Sequence, residues 1–112
     1  MKYEEKARTI HKQGNNCSYS VYTAFEEDTK LNGNIPKPRS EKGKCGAVIS
    51  AEKILKELGK EDKIEEFDKE FISEFKYITC KNLMKADRRC NDYVGKSAEF
   101  VDKIINKDNG KT

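Results

Sequence analysis

Apolar residues recur along this chain at spacings of three and four and almost nowhere alternate with period two. The first spacing buries one stripe of a helix, the second one face of a strand. The pattern therefore predicts helices and no sheet. Tyr3, Ala7 and Ile10 form a first stripe that stops at Gly14. Cys17, Val21, Ala24 and Phe25 form a second, capped by Asn15 or Asn16 and running to about Thr29. A third begins near Cys45 with Val48, Ala51, Leu55 and Leu58, and Gly59 suits its C-terminal stop. The segment KEDKIEEFDKEFISEFK opens with acidic residues that suit a helix dipole, and it turns Ile64, Phe67, Phe71, Ile72 and Phe75 one way. Thr79 is an N-cap candidate for a short turn carrying Cys80, Leu83 and Met84; Cys90, Val94, Ala98, Val101 and Ile105 then mark a last helix. The expectation is an all-α fold, a compact bundle of four to five helices.

At 112 residues the chain is read as one domain, residues 1–112, with a frayed tail at 107–112. It is 35% hydrophobic and 38% charged, so a small core must offset the entropy of ordering the chain. A covalent or metal staple would help it. The N-terminus, MKYEEKARTI, is charged, and no run approaches the about 18 apolar residues of a membrane span. These features set the expectation of a soluble, cytoplasmic protein with no membrane partner.

The net charge of +3 is too small to argue for nucleic acid. Its distribution is uneven: residues 30–44 and 76–90 each carry five basic side chains against one acidic, whereas residues 61–74 hold seven acidic against two basic. Residues 30–44 also contain both prolines and two glycines, which predicts a long basic loop, a candidate lid or recognition segment.

Cys17, Cys45, Cys80 and Cys90 each fall at the start of a predicted helix, on its apolar stripe. A helix N-terminus presents unpaired N–H groups and a partial positive charge, which favour thiolate over thiol. Separations of 28, 35 and 10 residues exclude C-x-x-C spacing, so any shared site must be assembled by the fold. Four such sulfurs suit an iron–sulfur cluster, zinc, or reversible disulfides. Gly46 and Ala47 leave room for a cofactor, sulfur or backbone beside Cys45, and equally for close helix packing. His11, the single histidine, reads as a surface or half-buried structural residue. Phe67, Phe71, Phe75 and Tyr77 read as core. No Ser/His/Asp arrangement, phosphate loop or paired-carboxylate motif is present, so electron transfer, or redox sensing beside a partner, fits the inventory better than turnover of a small molecule.

The segments NNCSYSVYTAF, CGAVIS, FKYITCKNLM and RRCNDYVGKSAEFVDKII together resemble the C_GCAxxG_C_C family of small redox-active proteins, named for four cysteines and a C-G-A-x-x-G motif. The resemblance spans roughly residues 15–106. It implies a redox role for Cys17, Cys45, Cys80 and Cys90. Ser50 stands where the motif ends in glycine, which would add bulk and a hydroxyl at a close approach. Three readings stay open: an iron–sulfur centre, with [2Fe–2S] favoured, or another redox metal for electron transfer or sensing, beside a redox partner protein; metal-free thiol–disulfide chemistry; and a non-catalytic interaction module with structural zinc.

Overall fold

The computed structural model describes residues 2–26, 31, 45–79 and 90–108. Five α-helices account for most of them: α1 (Lys2–Lys12), α2 (Cys17–Glu26), α3 (Gly46–Glu57), α4 (Ile64–Phe75) and α5 (Cys90–Asp108). A 3-10 turn, Glu61–Lys63, precedes α4. Among the described residues there is no strand, and the one extended pairing is an isolated bridge at Thr79. The all-α bundle is thus as the periodicity predicts.

Local chemistry ends the helices where it should. Gly14, at φ 102°, takes the left-handed conformation that stops α1. Gly59, at φ 76°, does the same after α3. Lys76 adopts φ 73° at the end of α4 without being glycine, and its N–H still bonds the Ile72 carbonyl at 2.7 Å.

The longest helix, α5, is the one around which the others assemble: it packs against α1, α2, α3 and α4. Tyr93, Val94, Ala98 and Val101 are its buried stripe. Against it lie Ala7 of α1, Val21, Tyr22 and Phe25 of α2, Val48, Ala51, Ile54 and Leu55 of α3, and Phe67 and Phe71 of α4. Aromatic rings knit α4 to α5, with Phe75 edge-on to Tyr93 at 4.8 Å between centroids and Phe71 4.9 Å from Phe75. The Tyr22 hydroxyl reaches out of this core to donate to Glu57 Oε1 at 2.9 Å, which ties α2 to α3. The Cα radius of gyration, 12.7 Å, is close to the about 13 Å of a globular chain this long.

Three expectations change. Ile72 is 43% exposed rather than core, because it follows Phe71 directly and a helix turns 100° per residue, past the face that α5 covers. Tyr77 lies beyond the end of α4 and is 42% exposed. The last helix continues through Asp108, two residues into the expected tail. The expected short turn after Thr79, with Cys80, and the basic loop at 30–44 apart from Leu31, lie outside the described residues. Among described residues no helix is long and apolar enough to cross a membrane.

Phe71 is fully buried and its ring meets those of Phe67, Phe75 and Tyr93. Phe71→Ala should cost about 3–5 kcal/mol of stability in denaturant unfolding, and Ile72→Ala under about 1 kcal/mol.

Candidate functional site

The turn between α1 and α2 sets the first half of the site. Asn15 Nδ2 donates to the Ile10 carbonyl at 2.8 Å, satisfying the end of α1. Asn16 then caps α2, its Oδ1 accepting the Tyr19 N–H at 2.8 Å and the Ser18 hydroxyl at 3.0 Å. Both asparagines are used, one for each helix end. The result places Cys17 as the first residue of α2, half-buried against the core.

Cys45 is the residue before α3, not a member of its first turn. Its backbone is extended, with φ −58° and ψ 139°, and its N–H donates to the Ile78 carbonyl at 2.9 Å. That bond attaches the start of α3 to the segment leading into Cys80. Cys45 is 4% exposed. Its sulfur faces the Ala47 and Val48 N–H groups, although no side-chain contact has the geometry of a formal capping bond. Gly46 and Ala47 are both buried at this helix start.

Ser50 shows what the departure from glycine does. It is buried, and its hydroxyl donates to the Ser18 carbonyl at 2.6 Å. The bond crosses from α3 to the residue after Cys17, so the extra hydroxyl acts as a strut holding the two sulfur-bearing helix starts together.

Cys17, Cys45 and Cys90 come together at this end of the bundle. The Cys17 thiol donates to the Cys45 sulfur, and that bond raises the pKa of Cys17. Burial and the charges of Cys45 and Cys90 push it up further. Cys45 moves the other way: the Cys17 thiol, then the Ala47 and Val48 N–H groups, hold it below the ordinary cysteine value despite its burial. Of the two, Cys45 is therefore the sulfur whose thiolate form is favoured and Cys17 the one that holds its proton more tightly. Cys90, half-buried at the start of α5, is the third sulfur. None of the three sulfurs is in a disulfide.

His11 enters this site, although its position six residues before Cys17 gave it no partner in the sequence. The two Asn residues close the α1–α2 turn tightly enough to bring its Nε2 within 3.9 Å of Cys17 Sγ. Burial alone lowers its pKa and keeps the ring neutral. Its other nitrogen, Nδ1, is 3.1 Å from Asn91 Nδ2. Asn91 and Asp92 follow Cys90 in α5 and both bind Arg8: Arg8 Nη1 donates to Asn91 Oδ1 at 3.2 Å and to Asp92 Oδ1 at 2.8 Å. Glu4 holds the other side of the guanidinium at 3.0 Å. Burial disfavours the Arg8 charge, but its hydrogen bonds to Asp92 and Glu4 and their charges outweigh this and raise its pKa. Gly95 makes room for the group, because a Cβ there would collide with the guanidinium.

Among the described residues no group of three or more His, Cys, Asp and Glu side chains is arranged to hold a metal ion. The fourth expected sulfur, Cys80, lies outside them.

Because Cys45 is held below the ordinary cysteine value, its thiolate forms at lower pH than that of an unstructured cysteine. Thiolate ultraviolet absorption followed against pH should show one step below that value, absent in Cys45→Ser and shifted upward in Cys17→Ala, which removes the donor. Ser50→Ala should cost about 1 kcal/mol in urea unfolding through loss of the strut.

Compared with known proteins, the chain matches no family model, no curated protein and no solved structure.

Proposed function

We propose that this is a redox protein in which Cys17 and Cys45 cycle between a thiol–thiolate pair and a disulfide. The observation that supports it is the hydrogen bond from the Cys17 thiol to a Cys45 sulfur lodged at a helix start. A depressed thiolate is the nucleophile of exchange, and a neighbouring thiol is what resolves the product.

The chemistry balances with a disulfide as oxidant. The Cys45 thiolate attacks one sulfur of R–S–S–R, the S–S bond breaks, and one RS⁻ leaves. Cys17 gives up its proton and its sulfur attacks Cys45 Sγ, expelling the second RS⁻, which takes that proton. Two electrons pass from the cysteine pair to R–S–S–R, which leaves as RS⁻ and RSH, and the reverse sequence restores the pair. With Cys45 4% exposed, the first attack favours a low-molecular-weight disulfide. Half-buried Cys17 and Cys90 offer sulfur to a protein that regenerates the dithiol. Action in the reducing cytoplasm and kinship with the four-cysteine family belong to the same proposal.

A second reading is favoured by the third sulfur: Cys90 also hydrogen-bonds Cys17, as convergence on a [2Fe–2S] or other redox metal centre held by Cys17, Cys45, Cys80 and Cys90 would require. The described residues do not by themselves form a metal site, and no step is derived through one.

Protein purified without oxygen and assayed for iron, zinc, acid-labile sulfide and thiols should contain four thiols and no sulfide. Excess bis(hydroxyethyl) disulfide should then consume a pair of thiols in the natural chain, while Cys45→Ser traps no intramolecular disulfide. Four thiols that survive the oxidant would overturn the proposal, and stoichiometric iron with sulfide would establish the second reading.

A further inference from the structure

Two polar residues behind the sulfurs, Arg8 and Asn91, determine which nitrogen of His11 carries its proton. Arg8 has no acceptor, so the Asn91 atom 3.2 Å from Arg8 Nη1 must be the amide oxygen. Asn91 Nδ2 then faces the Arg8 carbonyl at 3.1 Å and His11 Nδ1 at 3.1 Å. Reversing the amide would set oxygen against a carbonyl and N–H against N–H, so the network admits one orientation. Both Nδ2 hydrogens are donated, and His11 Nδ1 must accept. In a neutral ring the proton is therefore on Nε2, the atom 3.9 Å from Cys17 Sγ. Arg8 cannot drift from this arrangement easily, because Glu4, Asp92 and the Asn91 carbonyl also hold it over Gly95.

We infer that His11 is a catalytic residue of disulfide closure, fixed by Arg8 and Asn91 as the Nε2–H tautomer so that its imidazole donates to the sulfur of Cys17. This rests on the Cys17–Cys45 reading above. In the closing step Cys17–SH and the mixed disulfide Cys45–S–S–R become the Cys17–S–S–Cys45 disulfide and RSH. The S–S bond between Cys45 Sγ and the R–S group breaks, and the proton of Cys17 ends on the departing thiol. Negative charge gathers on Cys17 Sγ as that proton leaves, and the Nε2–H bond stabilises it. The same tautomer bars His11 from acting as base toward Cys17, since Nε2 has no free lone pair. Asn91 and Arg8 are positioning residues.

Two measurements test it separately. With one histidine in the chain, ¹⁵N correlation spectra of the imidazole read the tautomer without any redox step. Nε2 should be protonated and Nδ1 not at neutral pH, and Asn91→Asp should protonate Nδ1. A natural chain with Nδ1 protonated, or with the two tautomers averaged, would overturn the inference while leaving the cysteine chemistry intact. Acid-quenched mass spectrometry after mixing with bis(hydroxyethyl) disulfide follows the second step. In His11→Ala and His11→Asn the Cys45 mixed disulfide should accumulate and close about tenfold more slowly. His11→Gln, whose amide nitrogen falls where Nε2 was, should close within about threefold of the natural chain. Equal closure rates in all four proteins would sink the role of His11. Absence of any Cys17–Cys45 disulfide in the natural chain would instead sink the reading it rests on.

Discussion

The end of the bundle where α2, α3 and α5 begin is held by polar bonds beside the apolar core, and the sulfur positions follow from them. Asn16 starts α2 at Cys17, the Ile78 carbonyl pins the backbone before α3 at Cys45, and the Arg8 network seats the first residues of α5 against α1. Ser50 then bridges α3 to α2. Side chains this close to a hydrophobic core need such bonds, because an unpaired buried polar group costs about 1–3 kcal/mol. Once they are made, three sulfurs have nowhere else to go.

Burying a thiolate is expensive, and the balance of effects decides how many charges this site can carry. Helix-start N–H groups and one neighbouring thiol offset the burial of a single charge at Cys45. A second charge at Cys17 meets burial and the repulsion of Cys45 and Cys90 together, and its pKa rises accordingly. The pair therefore favours a single charge, carried on Cys45 with the proton on Cys17. Asymmetry of this kind separates an attacking sulfur from a resolving one without any difference in residue type.

Much of the fold was legible because a helix writes its buried face into the sequence. Val21, Val48, Phe67 and Val94, one from each of four stripes, are all buried, and glycine and asparagine marked the helix ends through their backbone preferences. Ile72 misled because a residue one step from the stripe looks apolar whether or not a neighbour covers it. The convergence of Cys17, Cys45 and Cys90 was hinted at by their shared place at helix starts, yet which thiol holds the proton depends on N–H directions that only the fold supplies. Ser50 could be read as added bulk but not as a strut, since its partner is a carbonyl in another helix. The pairing of His11 with Cys17 had one local signal: a four-residue turn rich in cap residues between them, which folds the end of one helix onto the start of the next. Its link to Asn91, 80 residues away, had none.

The central claim is that Cys17 and Cys45, rather than any other pair, exchange electrons. Peptide mapping of the natural chain equilibrated across a series of reduced and oxidised glutathione buffers addresses it most directly. The account predicts a reversible Cys17–Cys45 link that appears and disappears as one two-electron couple, with Cys90 free in both states. A dominant link joining Cys90 to Cys17 or to Cys80, or thiols that remain reduced at every buffer ratio, would contradict it.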